Sequence, residues 1–299
     1  MASHSPEHYK THYYVPDSSV YPFVSSIALF FIALGGASLV NGYAIGPKMM
    51  TIGGIGLASL LFIWFRRVIA ESPDYNMDVD KSFRMGMAWF IFSEVMFFAA
   101  FFGALYYLRN LAVPWLAETE LLWPGFEAMW PSSGPLGAQI VTNGVPSATE
   151  ISEATKYGLI DPLHLPLYNT LILLTSSVTL TISHHALRAS NRAQTIIWLA
   201  ITVALGVWFL ALQVTEYIEA YQQLGLTLGT GVYGSTFFML TGFHGFHVTL
   251  GAFILFIVLL RCMKGHFTPE RHFVFEAGAW YWHFVDVVWV GLFIFVYIL

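Results

Sequence analysis

Seven long apolar stretches constrain this 299-residue chain more than any other feature. A helix needs ~17–25 mostly apolar residues to cross the ~30 Å hydrocarbon core of a bilayer. None of the stretches has the roughly ten-residue in–out alternation of a membrane β-barrel. The sequence therefore predicts an all-α, polytopic membrane protein. Its seven transmembrane helices are predicted near residues 22–43, 48–68, 84–108, 165–188, 194–220, 231–261 and 277–298.

Composition agrees with a membrane protein. The chain is 57% hydrophobic and only 10% charged, with a mean hydropathy of +0.64, which a soluble globular protein does not reach. Aromatic residues make up 17% and suit anchoring at the bilayer interfaces. Cys262 is the only cysteine, so an intrachain disulfide and a thiolate iron–sulfur site are excluded.

The distribution of positive charges predicts the orientation. With seven spans, ten Lys and Arg residues fall on the side of the N-terminus, and three fall on the other side. The ten are Lys10, Arg66, Arg67, Lys81, Arg84, Arg188, Arg192, Arg261, Lys264 and Arg271, and the three are Lys48, Arg109 and Lys156. The positive-inside rule then predicts that the N-terminus lies in the cytoplasm or matrix and the C-terminus outside. We expect the membrane to be a bacterial inner (plasma) membrane, with a cytoplasmic N-terminus and a periplasmic C-terminus.

The chain divides into three predicted parts. Residues 1–20 form a polar cytoplasmic tail without the features of a cleaved signal, so the first span is expected to direct targeting. The tail carries histidines at every fourth position, but a solvated tail is favoured over a metal-binding stripe because a proline interrupts them. The histidines are His4, His8 and His12, and the proline is Pro6. Residues 21–70 form a two-helix hairpin, and 71–299 form a five-helix bundle.

The longest segment between predicted spans is 111–163, on the outer face, which contains Trp115, Trp123 and Trp130. Its length without clear periodicity indicates an ordered contact loop or an insertion. The chain has no internal repeat of the kind found in inverted-repeat transporters. A membrane transporter, the alternative from a different functional class, is therefore disfavoured.

Two glutamates within the predicted spans are candidate sites. Glu94, in SEVMFFAAFFG, is near mid-depth, where it is either neutral or charged and hydrogen-bonded to a neighbouring helix. It is either a proton-related or coupling site, or a residue that pins two helices together. Glu216 lies one turn beyond Gln213, nearer the outer end of its span, and is favoured as a structural contact between helices.

Four more polar residues at membrane depth suggest two readings, a two-helix metal site or packing contacts. They are His244, His247, His283 and Asp286. A haem or copper centre needs further ligands, and the chain lacks the Glu-x-x-His repeats of di-iron bundles. Nearby glycines indicate close helix packing, namely Gly242, Gly245 and Gly251. We expect no metal ligand and no catalytic residue, with the histidines paired to Asp286 or to a carbonyl.

Basic residues gather where two predicted spans end on the inner face. Trp64, Arg66 and Arg67 end the second span, and Arg261, Lys264 and His266 end the sixth. Basic pockets at this depth bind anionic lipid head groups. The alternative, positive-inside charges without a bound ligand, remains open.

Five stretches resemble subunit III of cytochrome c oxidase, and they follow one another in the family's order. They are DKSFRMGMAWFIFSEVMFFAAFFGALYY, LYNTLILLTSSVTLTISHHAL, FLALQVTEY, GFHGFHVTLGAFIL and FEAGAWYWHFVDVVW. The resemblance covers residues 20–299, and the segment 118–160 departs from it as an apparent insertion.

The resemblance implies a seven-helix subunit without a redox centre, divided by a V-shaped cleft that holds phospholipids. Haem a and copper then belong to partner subunits. By position, Glu94 corresponds to the family's intramembrane carboxylate close to the catalytic subunit. The lipid head-group residues correspond to Arg261, Lys264 and His266, and less closely to Trp64 and Arg66. The family often has a second tryptophan where this chain has Phe65.

The resemblance also implies a function. We expect a non-catalytic subunit of an aa3-type, proton-pumping oxidase that oxidises cytochrome c and reduces oxygen to water. Its partners would be catalytic subunit I, subunit II and other oxidase subunits, phospholipids and, through the complex, cytochrome c, but no nucleic acid. The chain would stabilise subunit I and support proton uptake and oxygen access. A quinol-oxidising relative is the alternative within the family, disfavoured because such members usually lack the first two spans.

Overall fold

The computed structural model describes residues 15, 18–71, 75, 77–135 and 157–299. Within these ranges there are seven helices long and apolar enough to cross a membrane, and there is no strand. They are α1 (Tyr21–Val40), α2 (Gly46–Glu71), α3 (Met77–Tyr107), α4 (Leu165–Arg188), α5 (Arg192–Gln222), α6 (Gly231–Met263) and α7 (Phe273–Leu292). The predicted all-α fold with seven spans is confirmed.

Helix α3 begins at Met77 rather than at the predicted residue 84. Its first turn contains Asp78 and Asp80, and carboxylates stabilise a helix N-terminus by interacting with the helix dipole. Lys81 Nζ lies 3.2 Å from Asp78 Oδ1, and Arg84 Nε lies 2.8 Å from Asp80 Oδ2. Charged pairs at this spacing support a helical turn that an apolar pattern does not reveal.

Helices α1 and α2 form the hairpin of a first compact unit, Met1–Met85. α1 ends at Val40 rather than at the predicted residue 43, because Gly42 adopts a φ of +77°, a left-handed conformation that ends helices. The two helices approach each other closely at Gly35, where a Cβ atom would lie 2.7 Å from the Met50 backbone nitrogen. Glycine is therefore required at this contact.

The second compact unit, Gly86–Leu299, contains a large aromatic core. Trp282 and Trp289 of α7 are fully buried. Their indole N–H groups donate to α4, Trp282 to Ser176 Oγ and Trp289 to Thr170 Oγ1, each at 2.9 Å. Both tryptophans therefore combine apolar burial with a satisfied donor, and they hold α7 against α4.

The glycine contacts of this unit differ from the prediction. A Cβ atom at Gly251 would lie 2.9 Å from the Trp282 ring, and one at Gly206 would lie 2.6 Å from it. At Gly242 the nearest atom would be 3.6 Å away, and at Gly245 nothing lies within 4 Å. The prediction of close packing is correct for Gly251 and wrong for Gly245. At Gly242 a Cβ atom would make only ordinary van der Waals contact, with the Tyr217 hydroxyl of α5.

The predicted outer segment 111–163 begins later than expected. Helix α3 continues through a π-helical turn, Leu108–Ala112, and a short helical segment, Val113–Ala117. The predicted outer segment 111–163 therefore overlaps a helical extension at its start, whereas the apparent insertion 118–160 begins after it. Residues 136–156 of this segment lie outside the described residues, as do the histidines of the N-terminal tail.

Both described parts of the outer segment are bonded to the region in which α5 ends and α6 begins. The Tyr233 N–H donates to the Ser132 carbonyl at 2.9 Å, and the Gly158 N–H donates to the Leu224 carbonyl at 2.7 Å. These backbone bonds order the segment on each side of residues 136–156.

Candidate functional site

Two ionisable side chains meet inside the second unit. Glu94 Oε2 of α3 lies 2.9 Å from His247 Nε2 of α6, with 21% and 8% of the two side chains exposed. His247 Nδ1 lies 2.6 Å from the Phe243 carbonyl oxygen, which can only accept a hydrogen bond. His247 Nδ1 therefore carries a hydrogen, and the contact between Nε2 and Oε2 requires one further proton on either atom.

The pair consequently has two states, an imidazolium with a carboxylate or an imidazole with a carboxylic acid. Aromatic rings surround His247: its ring centroid lies 4.9 Å from that of Phe98, 5.8 Å from Phe97 and 6.4 Å from Tyr281. In such low-polarity surroundings a hydrogen bond is electrostatically stronger than in water. The arrangement can hold one proton and exchange it within the bond.

His244, one turn before His247, has different partners. Its side chain is buried, and its Nε2 lies 3.2 Å from the Val285 carbonyl oxygen of α7. Its ring centroid lies 5.1 Å from that of Trp289 and 5.9 Å from that of Phe209. The carbonyl can only accept, so Nε2 donates, and His244 ties α6 to α7.

His283 and Asp286 belong to α7, and His283 contacts α4. His283 Nδ1 is 2.7 Å from Ser177 Oγ and 3.7 Å from Asp286 Oδ2. The Asp286 side chain is 5% exposed, whereas that of His283 is 39% exposed. The sequence spacing predicted the His283–Asp286 neighbourhood, and Ser177 is an additional member that the sequence did not single out.

Glu216 forms a separate buried cluster. The Tyr297 hydroxyl donates to Glu216 Oε1 at 2.6 Å, and Gln213 Nε2 donates to the same oxygen at 3.4 Å. Tyr297 belongs to the π-helical segment Phe293–Ile298 that follows α7. The carboxyl group thus links α5 to the end of the chain.

None of the described ranges contains a group of three or more His, Cys, Asp or Glu side chains placed to hold a metal ion. His244 and His247 each direct a ring nitrogen to a carbonyl oxygen. The arrangement does not resemble a set of ligands converging on one point.

The basic residues of the first unit lie at the end of α2. Trp64 stacks on Tyr21 with 5.7 Å between ring centroids. Arg67 forms an ion pair with Glu71 at 2.8 Å, whereas Arg66 is exposed. Trp64 is therefore positioned by α1, and the Arg66 side chain is open to solvent or lipid.

The basic residues of the second unit lie where α6 ends. The Arg261 guanidinium carbon is 4.9 Å from the Phe267 ring centroid, a cation–π contact. Lys264 and His266 are exposed. The three residues offer a fixed guanidinium group beside two side chains that are open to solvent or lipid.

The sequence did not predict three of the side-chain contacts at these sites. His247 was not identified as the partner of Glu94, and neither Ser177 nor Tyr297 was singled out. Ser177 is one of several Ser and Thr residues of α4, so the sequence does not distinguish it from the others. Tyr297 lies in an apolar segment in which its hydroxyl group produces no periodic signal. The polarity of Glu94 and His247 at similar depth was the available signal for that pair.

Comparisons with known proteins agree on one family. The protein-family model described as cytochrome c oxidase subunit III matches residues 11–148 and 153–299 of this chain. Proteins described as cytochrome c oxidase subunit 3 are 38% identical over 288 residues (Prototheca wickerhamii), 39% over 290 (Papio hamadryas) and 40% over 290 (Formosania lacustris). Each comparison covers 95% of this chain and 96% of the relative.

Proposed function

Because the chain belongs to the cytochrome c oxidase subunit III family, we propose that it is a non-catalytic subunit of an aa3-type, proton-pumping oxidase. In this role it packs against catalytic subunit I, with subunit II and other subunits in the same complex and cytochrome c as the electron donor. The observation that carries the proposal is the Glu94–His247 pair at 2.9 Å. A pair that holds one proton in an apolar setting suits a subunit that supports proton uptake without performing the redox chemistry.

The haem a and copper of the complex belong to partner subunits in this proposal. The histidines within the helices of this chain support it. His244 and His247 direct ring nitrogens to the carbonyls of Val285 and Phe243. His247 uses its second nitrogen on Glu94. His247 therefore uses both ring nitrogens, and it could bind haem or copper only if one of these two bonds were broken.

Both basic clusters bind anionic phospholipid head groups in this proposal. Their exposed cations and their place at helix ends support it: Arg66 follows Trp64 near the end of α2, and Lys264 and His266 follow α6. Head-group phosphates attract such cations, and the neighbouring tryptophan suits the bilayer interface.

The double variant Arg261→Gln and Lys264→Gln tests the lipid proposal. We expect fewer phospholipid molecules per purified complex, measured by mass spectrometry of extracted lipid. Each neutralised cation removes about 1 kcal/mol of attraction to an anionic membrane surface. The control is Lys48→Gln, a basic residue outside both clusters. An unchanged lipid content in the double variant would contradict the proposal.

The chain lies in an inner membrane with its N-terminus on the cytoplasmic side and its C-terminus on the periplasmic side. The excess of Lys and Arg on the N-terminal side of seven spans supports this orientation. Single cysteines at Ser19 and at Leu299 in a Cys262→Ala background test it with a membrane-impermeant thiol reagent. In intact cells we expect the reagent to label position 299 and not position 19. Labelling of position 19 alone would contradict the proposed orientation.

Glu94→Gln tests the supporting role. The variant retains the shape of the side chain but cannot exchange a proton with His247. We expect unchanged haem spectra and an initial turnover reduced less than about tenfold, well below the roughly 10²–10⁴-fold contribution of a general acid or base. Proton uptake should slow in the same samples. The control is the surface substitution Glu118→Gln, and loss of haem or copper from the Glu94 variant would contradict the proposal.

A further inference from the structure

One side of the second unit carries a polar group at membrane depth, apart from the Glu94–His247 pair. We call it the α4–α7 face and define it by Leu174 and Val178 of α4 and by His283 and Val287 of α7. The three aliphatic side chains are 43%, 59% and 71% exposed in chain order. His283 lies among them near the middle of α7, so an imidazole interrupts an otherwise apolar surface.

The His283 ring is held firmly on one side only. Nδ1 is fixed by Ser177 Oγ at 2.7 Å. Nε2 has no hydrogen-bond partner among the residues that the structure describes, and the side chain is 39% exposed. The bond to Ser177 therefore orients the ring and leaves a second hydrogen-bonding atom for a group outside this unit.

Asp286, one turn after His283 on α7, adds a second polar side chain next to His283. Its two carboxyl oxygens are buried and have no hydrogen-bond partner within the described part of the chain, and the closer contact to His283 is 3.7 Å. Hydrocarbon supplies no partner for an imidazole nitrogen or a carboxyl group, and polar groups within a membrane face protein or water. The α4–α7 face is thus poorly suited to lipid at the position of His283.

We propose that the α4–α7 face is the docking surface for a transmembrane helix of another oxidase subunit, which presents a hydrogen-bonding side chain to His283 Nε2. The inference rests on the proposed function as an oxidase subunit and specifies a contact surface for it. A helix fits because its backbone groups are satisfied internally, so only its side chains need partners. Leu174, Val178 and Val287 supply the apolar packing around the hydrogen bond.

Photo-crosslinking in the assembled complex tests the location. A benzophenone amino acid replaces Val178 on the α4–α7 face or, as a control, Val214 of α5, which is also 59% exposed. Ultraviolet irradiation of membranes is expected to join position 178 to another oxidase subunit in several-fold higher yield than position 214. Equal yields, or products from position 178 that contain only this chain, would overturn the proposal.

Two substitutions at His283 test the hydrogen bond. His283→Phe retains a planar ring without donor or acceptor, and His283→Gln restores hydrogen bonding. We expect His283→Phe to weaken retention of the partner subunits in a detergent titration by about threefold, the effect of one typical hydrogen bond between membrane helices. The Gln variant and the control His185→Phe should behave as wild type. The proposed hydrogen bond would be contradicted if the Gln variant retained the partner subunits as weakly as the Phe variant. It would also be contradicted if the Phe variant retained them as well as wild type.

The wild-type chain separates failure of this inference from failure of the proposed function. If no oxidase subunit co-purifies with the wild-type chain, the proposed function fails and the inference fails with it. If the subunits co-purify but position 178 does not crosslink to them, only the α4–α7 face is wrong.

Discussion

The hydroxyl group of Tyr297 holds the buried carboxyl group of Glu216. Glu216 Oε1 receives the Tyr297 hydroxyl at 2.6 Å, much closer than Gln213 Nε2 at 3.4 Å. Glu216 Oε2 has no partner among the described residues. Tyr297 is therefore the main partner of this carboxyl group, and its loss would leave a buried acceptor with only a weak bond.

Tyr297→Phe removes that hydroxyl and keeps the ring. We expect the free energy of unfolding to fall by about 1–3 kcal/mol, the effect of leaving a buried polar group without its partner. Reversible unfolding in mixed detergent micelles measures the change. Tyr43→Phe, at a tyrosine that is exposed, is the matched control and should have no effect. Equal stabilities of the two variants would argue against the Glu216–Tyr297 bond.

The Glu94–His247 pair should behave as one unit. Glu94→Gln and His247→Asn, combined in a double-mutant cycle, are expected to show a coupling free energy of about 0.5–3 kcal/mol because each change removes the carboxyl–imidazole contact in which the proton is shared. Thermal unfolding of the purified complex provides the values. His185→Asn replaces His247→Asn in the control cycle and should combine additively with Glu94→Gln. Additivity in the first cycle would show that the contact does not contribute.

At the scale of helices, glycine allows α5 and α6 to approach the Trp282 ring of α7. Gly206 and Gly251 both point at this ring, and a Cβ atom at either position would come within 3.0 Å of it. Trp282 is fully buried and also donates to Ser176, so it has little freedom to move aside. The close packing of these three helices therefore depends on glycine at both positions, because glycine has no side chain.

Gly206→Ala should destabilise the bundle by about 1–3 kcal/mol, the usual effect of overpacking a core. Gly245→Ala is the control in a neighbouring helix because nothing lies within 4 Å of its added Cβ. It should be neutral or slightly stabilising, since alanine favours helix more than glycine does. Unfolding in mixed micelles compares the two. A smaller loss for Gly206→Ala than for Gly245→Ala would mean that the Trp282 contact is not tight.

Apolar length predicted the existence of every membrane-spanning helix but not every boundary. α3 starts at Met77 because Asp78 and Asp80 stabilise its first turn, and these residues reduce the apolar signal there. The extension to Ala117 likewise passes through Arg109 and Asn110, which look like the start of a loop. Helix ends depend on local charge and turn conformation, whereas helix interiors depend on hydrophobicity.

Partners between helices were harder to predict. Glu94 and His247 were both recognised as polar residues in apolar spans, but they are 153 positions apart. Depth alone does not specify which helix faces another, because each span has several faces. The glycines show the same limit: Gly242, Gly245 and Gly251 look alike in sequence, and only Gly251 meets a tryptophan ring.

At the scale of the whole molecule, three polar residues within the helices of the second unit bond to other parts of the same unit. Glu94, Glu216 and His244 each bond to another helix or to the segment after α7. The second ring nitrogen of His283 and both carboxyl oxygens of Asp286 have no hydrogen-bond partner among the residues that the structure describes. This pattern fits a subunit that supports a larger complex, as the family of the chain implies.

Purification through an affinity tag on this chain, followed by optical spectra and metal analysis, tests the central claim most directly. In mild detergent, haem and copper should co-purify together with larger subunits. After the chain is separated from those subunits, both should be absent from it while its helical circular dichroism persists. Stoichiometric haem or copper that remains with the folded, isolated chain would contradict the proposed non-catalytic role.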